Sequence, residues 1–447
     1  MKIAIIGTGY VGLVTGVCLA EIGHKVICYD KDEKKIDLLL ENKMPIYEPF
    51  VDKLVIKNKE KNRLYFTKDL TEAIKFAKAI FICVGTPPLK NGEADLSAIE
   101  DVTQKIAQNL DSYKLIVEKS TVPVQTNLWV EKTLRLYGKK KAEFDIASNP
   151  EFLSEGRAVY DFLHPWRIVV GVKTKKAEKI LREIYKPIVE RKFNCPIHKK
   201  GCPLKNKVPF IVTDINSAEL IKHASNSFLA MKISYINALA DICEKTGANI
   251  KDVALGMGLD PRIGKEFLRA GIGFGGFCFP KDLQAFIKMA QKYNYDFKLL
   301  KEVEKINQDR IKRVMEKLRS HIWILEGKLI GVLGLAFKPD TDDIRFSPAL
   351  KIIKNLIKEK VRVKAYDPKA MEKAKRELPQ IEFCSDPYQV AKDSECLIIC
   401  TDWKEFKDLD WKKIKKLMKR PFILDGRNML NKEYLKDLGF EYVGFGI

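Results

Sequence analysis

The sequence predicts an α/β protein of two doubly wound parallel-sheet domains joined by a helical region that mediates dimerisation. Three observations predict it. Residues 1 to about 205 alternate short apolar runs with helix-period stretches, strand signals vanish between 213 and about 307, and they return beyond 328. The 447 residues, 46% hydrophobic and 31% charged, suffice for two or three packed cores and exclude a wholly disordered chain. The expected division is 1–212, 213–318 and 319–447.

In the first domain, strands are expected at 2–7, 25–30, 79–84, 114–119, 144–147 and 167–171. Several end in polar or glycine-rich turns, where open α/β sheets hold ligands. The uncharged stretch 3–20 approaches the length of a membrane span, but Gly7, Gly9, Gly12 and Gly16 would weaken such a helix, so no membrane association is expected. The middle region reads as helices at 217–245, 250–255 and 281–293. The first is apolar on more than one face, through Leu220, Ile221, Phe228, Leu229, Met231, Ile233, Ile236 and Leu239. Such a helix is expected to be buried between domains or subunits, which makes a homodimer the default. A charged helix at 308–319 precedes the second α/β domain, with strands expected at 328–335, 362–366, 396–400 and 422–424.

Gly7-Thr8-Gly9-Tyr10-Val11-Gly12 follows the first strand and opens an apolar helix, and Asp30 ends the next strand. This is the context that makes a glycine motif a Rossmann-like dinucleotide fingerprint. Gly7 allows the tight turn, Gly9 lets the backbone approach a pyrophosphate, and Gly12 lets helix and strand pack closely. Asp30 would accept hydrogen bonds from the adenosine ribose and repel a 2'-phosphate, favouring NAD over NADP, with Lys31, Lys34 and Lys35 nearby. In the second domain Gly331 and Gly334 are fewer glycines than this fingerprint needs.

The formal charge of +21 raises the question of nucleic acid, but the bases are interleaved with acids, as in Lys31-Asp32-Glu33-Lys34-Lys35. A solvated surface is the expectation, with an anionic small molecule the next candidate and no nucleic-acid partner. Ten scattered cysteines are too few for a disulfide framework, so a reducing cytoplasm is expected.

Gly271-Ile272-Gly273-Phe274-Gly275-Gly276-Phe277-Cys278-Phe279-Pro280-Lys281-Asp282 ends a glycine loop with a cysteine just ahead of a helix, for which Pro280 suits the first position. A thiol beside a helix amino terminus and near lysines has its thiolate favoured, as a nucleophile requires. A loop with this many glycines is entropically costly to order and exists where a ligand or backbone must come close. The segment resembles the active-site signature of the UDP-glucose and GDP-mannose dehydrogenase family. The resemblance runs through Pro45-Ile46-Tyr47-Glu48-Pro49, Gly85-Thr86-Pro87, Ser120-Thr121-Val122-Pro123, Asn149-Pro150-Glu151-Phe152-Leu153-Ser154-Glu155-Gly156, Ala218-Glu219-Leu220-Ile221-Lys222, Ala336-Phe337-Lys338-Pro339 and Asp425-Gly426-Arg427.

The resemblance implies oxidation of the C6 alcohol of a nucleotide sugar to a carboxylate by two NAD in turn, through an aldehyde and a thioester on Cys278. It implies that Lys222 and Asn226, four apart on one helix, stabilise an oxyanion, and that Thr121, Glu151 and Asp282 order water and accept protons. Cofactor contacts are implied for Gly7, Gly9, Tyr10, Val11, Gly12, Asp30, Lys35, Gly85, Thr86, Pro87, Thr121, Glu155, Lys281 and Arg345. Substrate contacts are implied for Glu151, Phe152, Leu153, Glu155, Lys222, Asn226, Phe267, Arg269, Gly271, Phe274, Gly275, Phe337, Lys338 and Arg427, and for Arg262 across a subunit boundary. A diphosphate prefers such fork-shaped donors. Most similar are the members acting on UDP-glucose, with GDP-mannose or a UDP-N-acetylhexosamine the alternatives. A one-hydride β-hydroxyacid-type dehydrogenase would need no cysteine, and a nucleic-acid binder would leave Cys278 unexplained.

Phe277, Trp166 and Phe346 depart from the family pattern, and the bulk of Phe277 beside the thiol would narrow the sugar pocket. The stretch from Phe193 to Pro203 reads as an insertion, in which Cys195, His198 and Cys202 stand at zinc-like spacings. With no fourth ligand evident, a basic surface loop and no metal are expected.

Overall fold

The computed structural model describes residues 1–139, 142–198 and 202–447, which form two compact units, 1–225 and 226–447. Lys199, Lys200 and Gly201 of the insertion lie outside the described residues.

Among its described residues the first unit holds eight strands: β1 (Lys2–Ile6), β2 (Lys25–Tyr29), β3 (Leu64–Thr67), β4 (Ala79–Ile82), β5 (Lys114–Glu118), β6 (Phe144–Ser148), β7 (Ile168–Val172) and β8 (Phe210–Thr213). They form one sheet in the order β3-β2-β1-β4-β5-β6-β7-β8. Successive residues alternate faces, so Ile3, Ile5 and Phe81 pack into one core while Ala4, Ile6, Ile80 and Ile82 pack into another on the opposite face. This double burial makes the central strands read as unbroken apolar runs. The expected sheet is corrected at two points. The edge strand β3 and the terminal strand β8 escaped the sequence reading, because each is only four residues long and partly exposed. The β6–β7 pair is antiparallel, since the direction of a strand depends on where its connection re-enters the sheet and leaves no trace in strand composition.

The uncharged segment 3–20 is β1 with most of the helix Tyr10–Glu21, and no helix of the described residues is long and apolar enough to cross a membrane. The helix Ile215–Thr246, longer than the expected 217–245, carries the chain from one unit into the next. In the second unit follow the helices Ile250–Gly258, Cys278–Lys292 and Lys298–His321, the last absorbing the expected charged helix. Six strands complete it: β9 (Leu329–Leu333), β10 (Arg362–Tyr366), β11 (Glu382–Phe383), β12 (Cys396–Ile399), β13 (Phe422–Asp425) and β14 (Glu441–Val443). Their order is β11-β10-β9-β12-β13-β14, parallel throughout. Only the two- and three-residue edges β11 and β14 were missed.

A pseudo-duplicated layout is visible in one detail. Asp30, after β2, accepts hydrogen bonds from the Thr8 amide and hydroxyl at 2.7 and 2.9 Å. Asp367, after β10, accepts from the amides of Leu335 and Ala336 at 2.7 and 3.0 Å. In both sheets a carboxylate closing the second strand holds the turn that leaves the first.

Candidate active site

At the amino-terminal turn Gly7 has φ +100°, and a Cβ on Gly12 would lie 1.8 Å from the Gly7 carbonyl oxygen. Both positions exclude a side chain. A Cβ on Gly9 would meet nothing within 4 Å, so space stands open before the helix Tyr10–Glu21, where a pyrophosphate finds the positive end of the helix dipole. Burial pushes the Asp30 carboxyl up, but hydrogen bonds from the Asp32 and Thr8 amides and the charge of Lys35, 3.7 Å away, outweigh it and hold the group ionised. The residues fit a dinucleotide. Gly85 and Pro87 are exposed beyond β4, while Thr86 is buried and donates to the Thr121 carbonyl at 2.9 Å.

Glu151 and Lys222 form an ion pair at 2.7 Å, each side chain 4% exposed. The other carboxylate oxygen of Glu151 accepts from the Leu153 amide at 2.6 Å, and Lys222 and Arg167 both face the Phe152 ring. Glu48 holds the following turn, accepting from the amides of Gly156 and Ala158 at 2.6 and 2.7 Å. The proline-flanked segment around Glu48 therefore supports the loop that carries Glu155.

Sequence reasoning missed Lys119, which directly follows the fully buried strand Lys114–Glu118. Its Nζ lies 3.2 Å from Asn149 Oδ1; burial lowers its ammonium to about 8, and the charges of Glu151 and Lys222 act on it. Beside it burial pushes the Glu118 carboxyl up from 4.5 to about 8. Glu118 Oε1 accepts from the Ser120 amide, and Oε2 has no hydrogen-bond partner among the described residues. Folded chain thus retains a proton that unfolded chain releases. The stabilisation is full below about pH 4.5 and is lost as the pH rises towards about 8. Accordingly, Tm of the natural chain is expected to fall more steeply across that window than Tm of Glu118→Gln; parallel Tm–pH curves would refute the assignment.

In the second unit the helix Cys278–Lys292 starts two residues earlier than Pro280 suggested, so Cys278 occupies its first turn and is half-buried. Pro280 is accommodated because first-turn amides need no helical partner. Asp282 is 1% exposed; its two oxygens accept from Asn226 Nδ2 and Lys281 Nζ, both at 2.6 Å. Lys281, expected beside the cofactor, is thus engaged with Asp282. Arg345 is chelated by Asp343 and stacks on the Phe277 ring at 4.2 Å, with Lys281 at 5.6 Å from the same ring. The bulky departure next to the thiol therefore serves as a platform for two cations.

The loop glycines answer to protein rather than to open space. A Cβ on Gly271 would lie 2.2 Å from the Gly426 carbonyl, on Gly275 2.6 Å from that of Phe346, and on Gly276 2.6 Å from the Phe337 ring. Arg427 donates to the carbonyls of Cys400, Gly273 and Phe337 at 2.7, 3.0 and 3.1 Å, fastening this loop to the second sheet. Phe274 is buried in a small core with Leu283 and Ile287, while Phe267 is exposed with φ +65° and Lys338 lies over the Phe337 ring. The side chains of Arg262 and Arg269 are 87% and 88% exposed, near Asp260 and Asp402 respectively.

The fourth partner missing from the insertion exists. His164, which follows the helix Ala158–Leu163, brings Nε2 to 3.3 Å from Cys195 Sγ, correcting the reading of three ligands without a fourth.

A sheet whose first turn is shaped for a pyrophosphate, in a chain that also presents a thiol at a helix start, defines a class: dehydrogenases that use a nicotinamide dinucleotide. Within it, this chain belongs to the UDP-glucose/GDP-mannose dehydrogenase family. The NAD binding domain of that family matches residues 1–189, its central domain 216–309 and its UDP binding domain 331–432. The chain is 45% identical over 446 residues to the UDP-glucose 6-dehydrogenase TuaD of Bacillus subtilis, covering all of this chain and 93% of that one. It is 43% identical over 451 residues to the UDP-glucose 6-dehydrogenase of Rhizobium meliloti, covering 100% and 99%. Among solved structures, a UDP-glucose dehydrogenase from the hyperthermophilic archaeon Pyrobaculum islandicum superposes with a TM-score of 0.88 at 33% identity, over 99% of this chain and 97% of that one.

Proposed function

We propose that the chain oxidises the C6 alcohol of UDP-glucose to UDP-glucuronate, consuming two NAD and one water and releasing three protons. Bound NAD supplies the acceptor for the hydride that leaves C6 at each oxidation. In the first, the alcohol proton passes to the Lys222–Glu151 pair or to water as the aldehyde forms. Cys278 Sγ then bonds to C6 to give a thiohemiacetal, whose oxygen Lys222 and Asn226 steady. Loss of the second hydride, with the hydroxyl proton passing to water, leaves a thioester. Water attacks it, with Asp282, Glu151 and Thr121 ordering that water and accepting its proton, and the C–S bond breaks to free the thiol.

The observation that carries this reading is that Cys278 opens the helix Cys278–Lys292, whose Lys281 and Asp282 form a buried cluster with Asn226. Identity above 40% to chains named UDP-glucose 6-dehydrogenase supports UDP-glucose as the sugar. The alternatives remain GDP-mannose or a UDP-N-acetylhexosamine, the latter because a UDP-D-ManNAc dehydrogenase from Pyrococcus horikoshii shares the fold at a TM-score of 0.84 and 27% identity. The test is the NADH formed at completion per limiting UDP-glucose under excess NAD. Two are expected; one would mean that the reaction stops at the aldehyde and would remove the thioester.

The same reading includes a division at 1–212, 213–318 and 319–447, a cytoplasmic location and a homodimer. On the helix Ile215–Thr246 the large side chains Phe228, Tyr235 and Ile242 repeat every seventh residue and are 56, 53 and 54% exposed. That stripe suits a second copy of the chain, with Arg262 reaching into the partner's site. Sedimentation is expected to show a dimer that Tyr235→Glu dissociates; a monomeric natural chain would refute it.

A further inference from the structure

The insertion holds side chains that the proposed oxidation does not use. Cys195, His198 and Cys202 are separated by steps of three and four residues, and the fold adds His164 from the end of another helix. One ligand atom from each lies within 4.8 Å of all the others. Cys195 Sγ is 3.3 Å from Nε2 of His164 and 3.3 Å from Nδ1 of His198. Zinc binds sulfur at about 2.3 Å and imidazole nitrogen at about 2.0–2.1 Å, which sets the ligand atoms of a tetrahedron roughly 3.4–3.8 Å apart. The two sulfur–nitrogen separations fall just short of that range, and the widest pair has at most about 1 Å to close.

We propose that His164, Cys195, His198 and Cys202 form a structural site for a zinc ion, a closed set of two thiolates and two imidazoles that staples the insertion to the helix Ala158–Leu163. Two observations beyond the four donors favour it. His164 Nδ1 lies 3.2 Å from the Tyr160 carbonyl, so its N–H donates there and the Nε2 lone pair turns to the cluster, the outer contact that metal-bound histidines use. The rings of His164 and His198 also stand edge to face at 5.1 Å, with a nitrogen of each at hydrogen-bond distance from Cys195 Sγ. Two thiolates cancel the charge of the ion, which suits a surrounding that includes Arg191 and Lys205. Four protein ligands leave no position for substrate, so the role is structural rather than catalytic.

The test uses the full chain purified without chelator. Mass spectrometric metal analysis is expected to find about one zinc per chain. After removal of zinc, titration with cobalt(II) alone should give the visible d–d bands of a tetrahedral sulfur–nitrogen site, absent in Cys195→Ser and in His164→Asn. Both variants should lose the metal and melt at lower temperature, yet still reduce NAD with UDP-glucose at 25 °C. Should they fail to fold, the natural chain decides by itself. Zinc far below one per chain together with a featureless cobalt spectrum would overturn the site, and so would an intact mass two hydrogens light from a Cys195–Cys202 disulfide.

Discussion

Cys278→Ser is expected to lower kcat on the order of 10³-fold or more while leaving the affinities for NAD and UDP-glucose within about twofold. The replacement is close to isosteric, and a hydroxyl is at home in the first turn of the helix Cys278–Lys292, so the fold has no reason to change. What disappears is the soft nucleophile. A serine hydroxyl is not ionised near neutrality, so the aldehyde is not captured and the second hydride has no thiohemiacetal from which to leave. The first oxidation does not need the thiol, and rapid mixing should therefore show at most one NADH per bound sugar, followed by arrest. A variant with undiminished steady-state turnover would exclude Cys278 as the nucleophile.

Lys222→Met acts on stability as well as rate. It leaves the Glu151 carboxylate, 4% exposed, without its ammonium partner at 2.7 Å. Stranding one half of such a buried pair costs about 3–5 kcal/mol, and loss of the cation proposed to face the developing oxyanion is expected to lower kcat by about 10²–10³-fold. The two effects separate in a cycle. Adding Glu151→Gln removes the stranded charge, so the double variant should recover much of the lost Tm but none of the lost rate. Calorimetry and NADH production on the three variants decide the matter, and recovery of activity in the double variant would reduce Lys222 to a structural role.

The parts of the site that were legible are those whose chemistry is local. The turn from Gly7 to Gly12 declares itself because tight turn, close packing and helix start fall within six residues. Cys278 stands out for the same reason, at the junction of a glycine loop and a helix. Pro280 misled the reading by two residues, since proline is tolerated anywhere among the first amides of a helix. The glycines around Cys278 were rightly read as places of close approach, but their neighbours, Gly426, Phe346 and Phe337, lie far along the chain.

From the sequence alone come the two α/β domains, the helical middle, the dinucleotide turn and the candidate nucleophile, because a strand covered on both faces must be apolar throughout and a phosphate-binding turn must be made of glycine. Tertiary structure alone decided the antiparallel β6–β7 pair, the edge strands, the buried state of Lys119 and Glu118, and the partner of each ionic or ligating group. Asn226 meets Asp282, Glu151 meets Lys222 and His164 meets Cys195 across long stretches of chain. Periodicity reports only which face a residue shares with its near neighbours. Which distant side chain stands opposite is settled when the strands close into a sheet and their loops are carried with them.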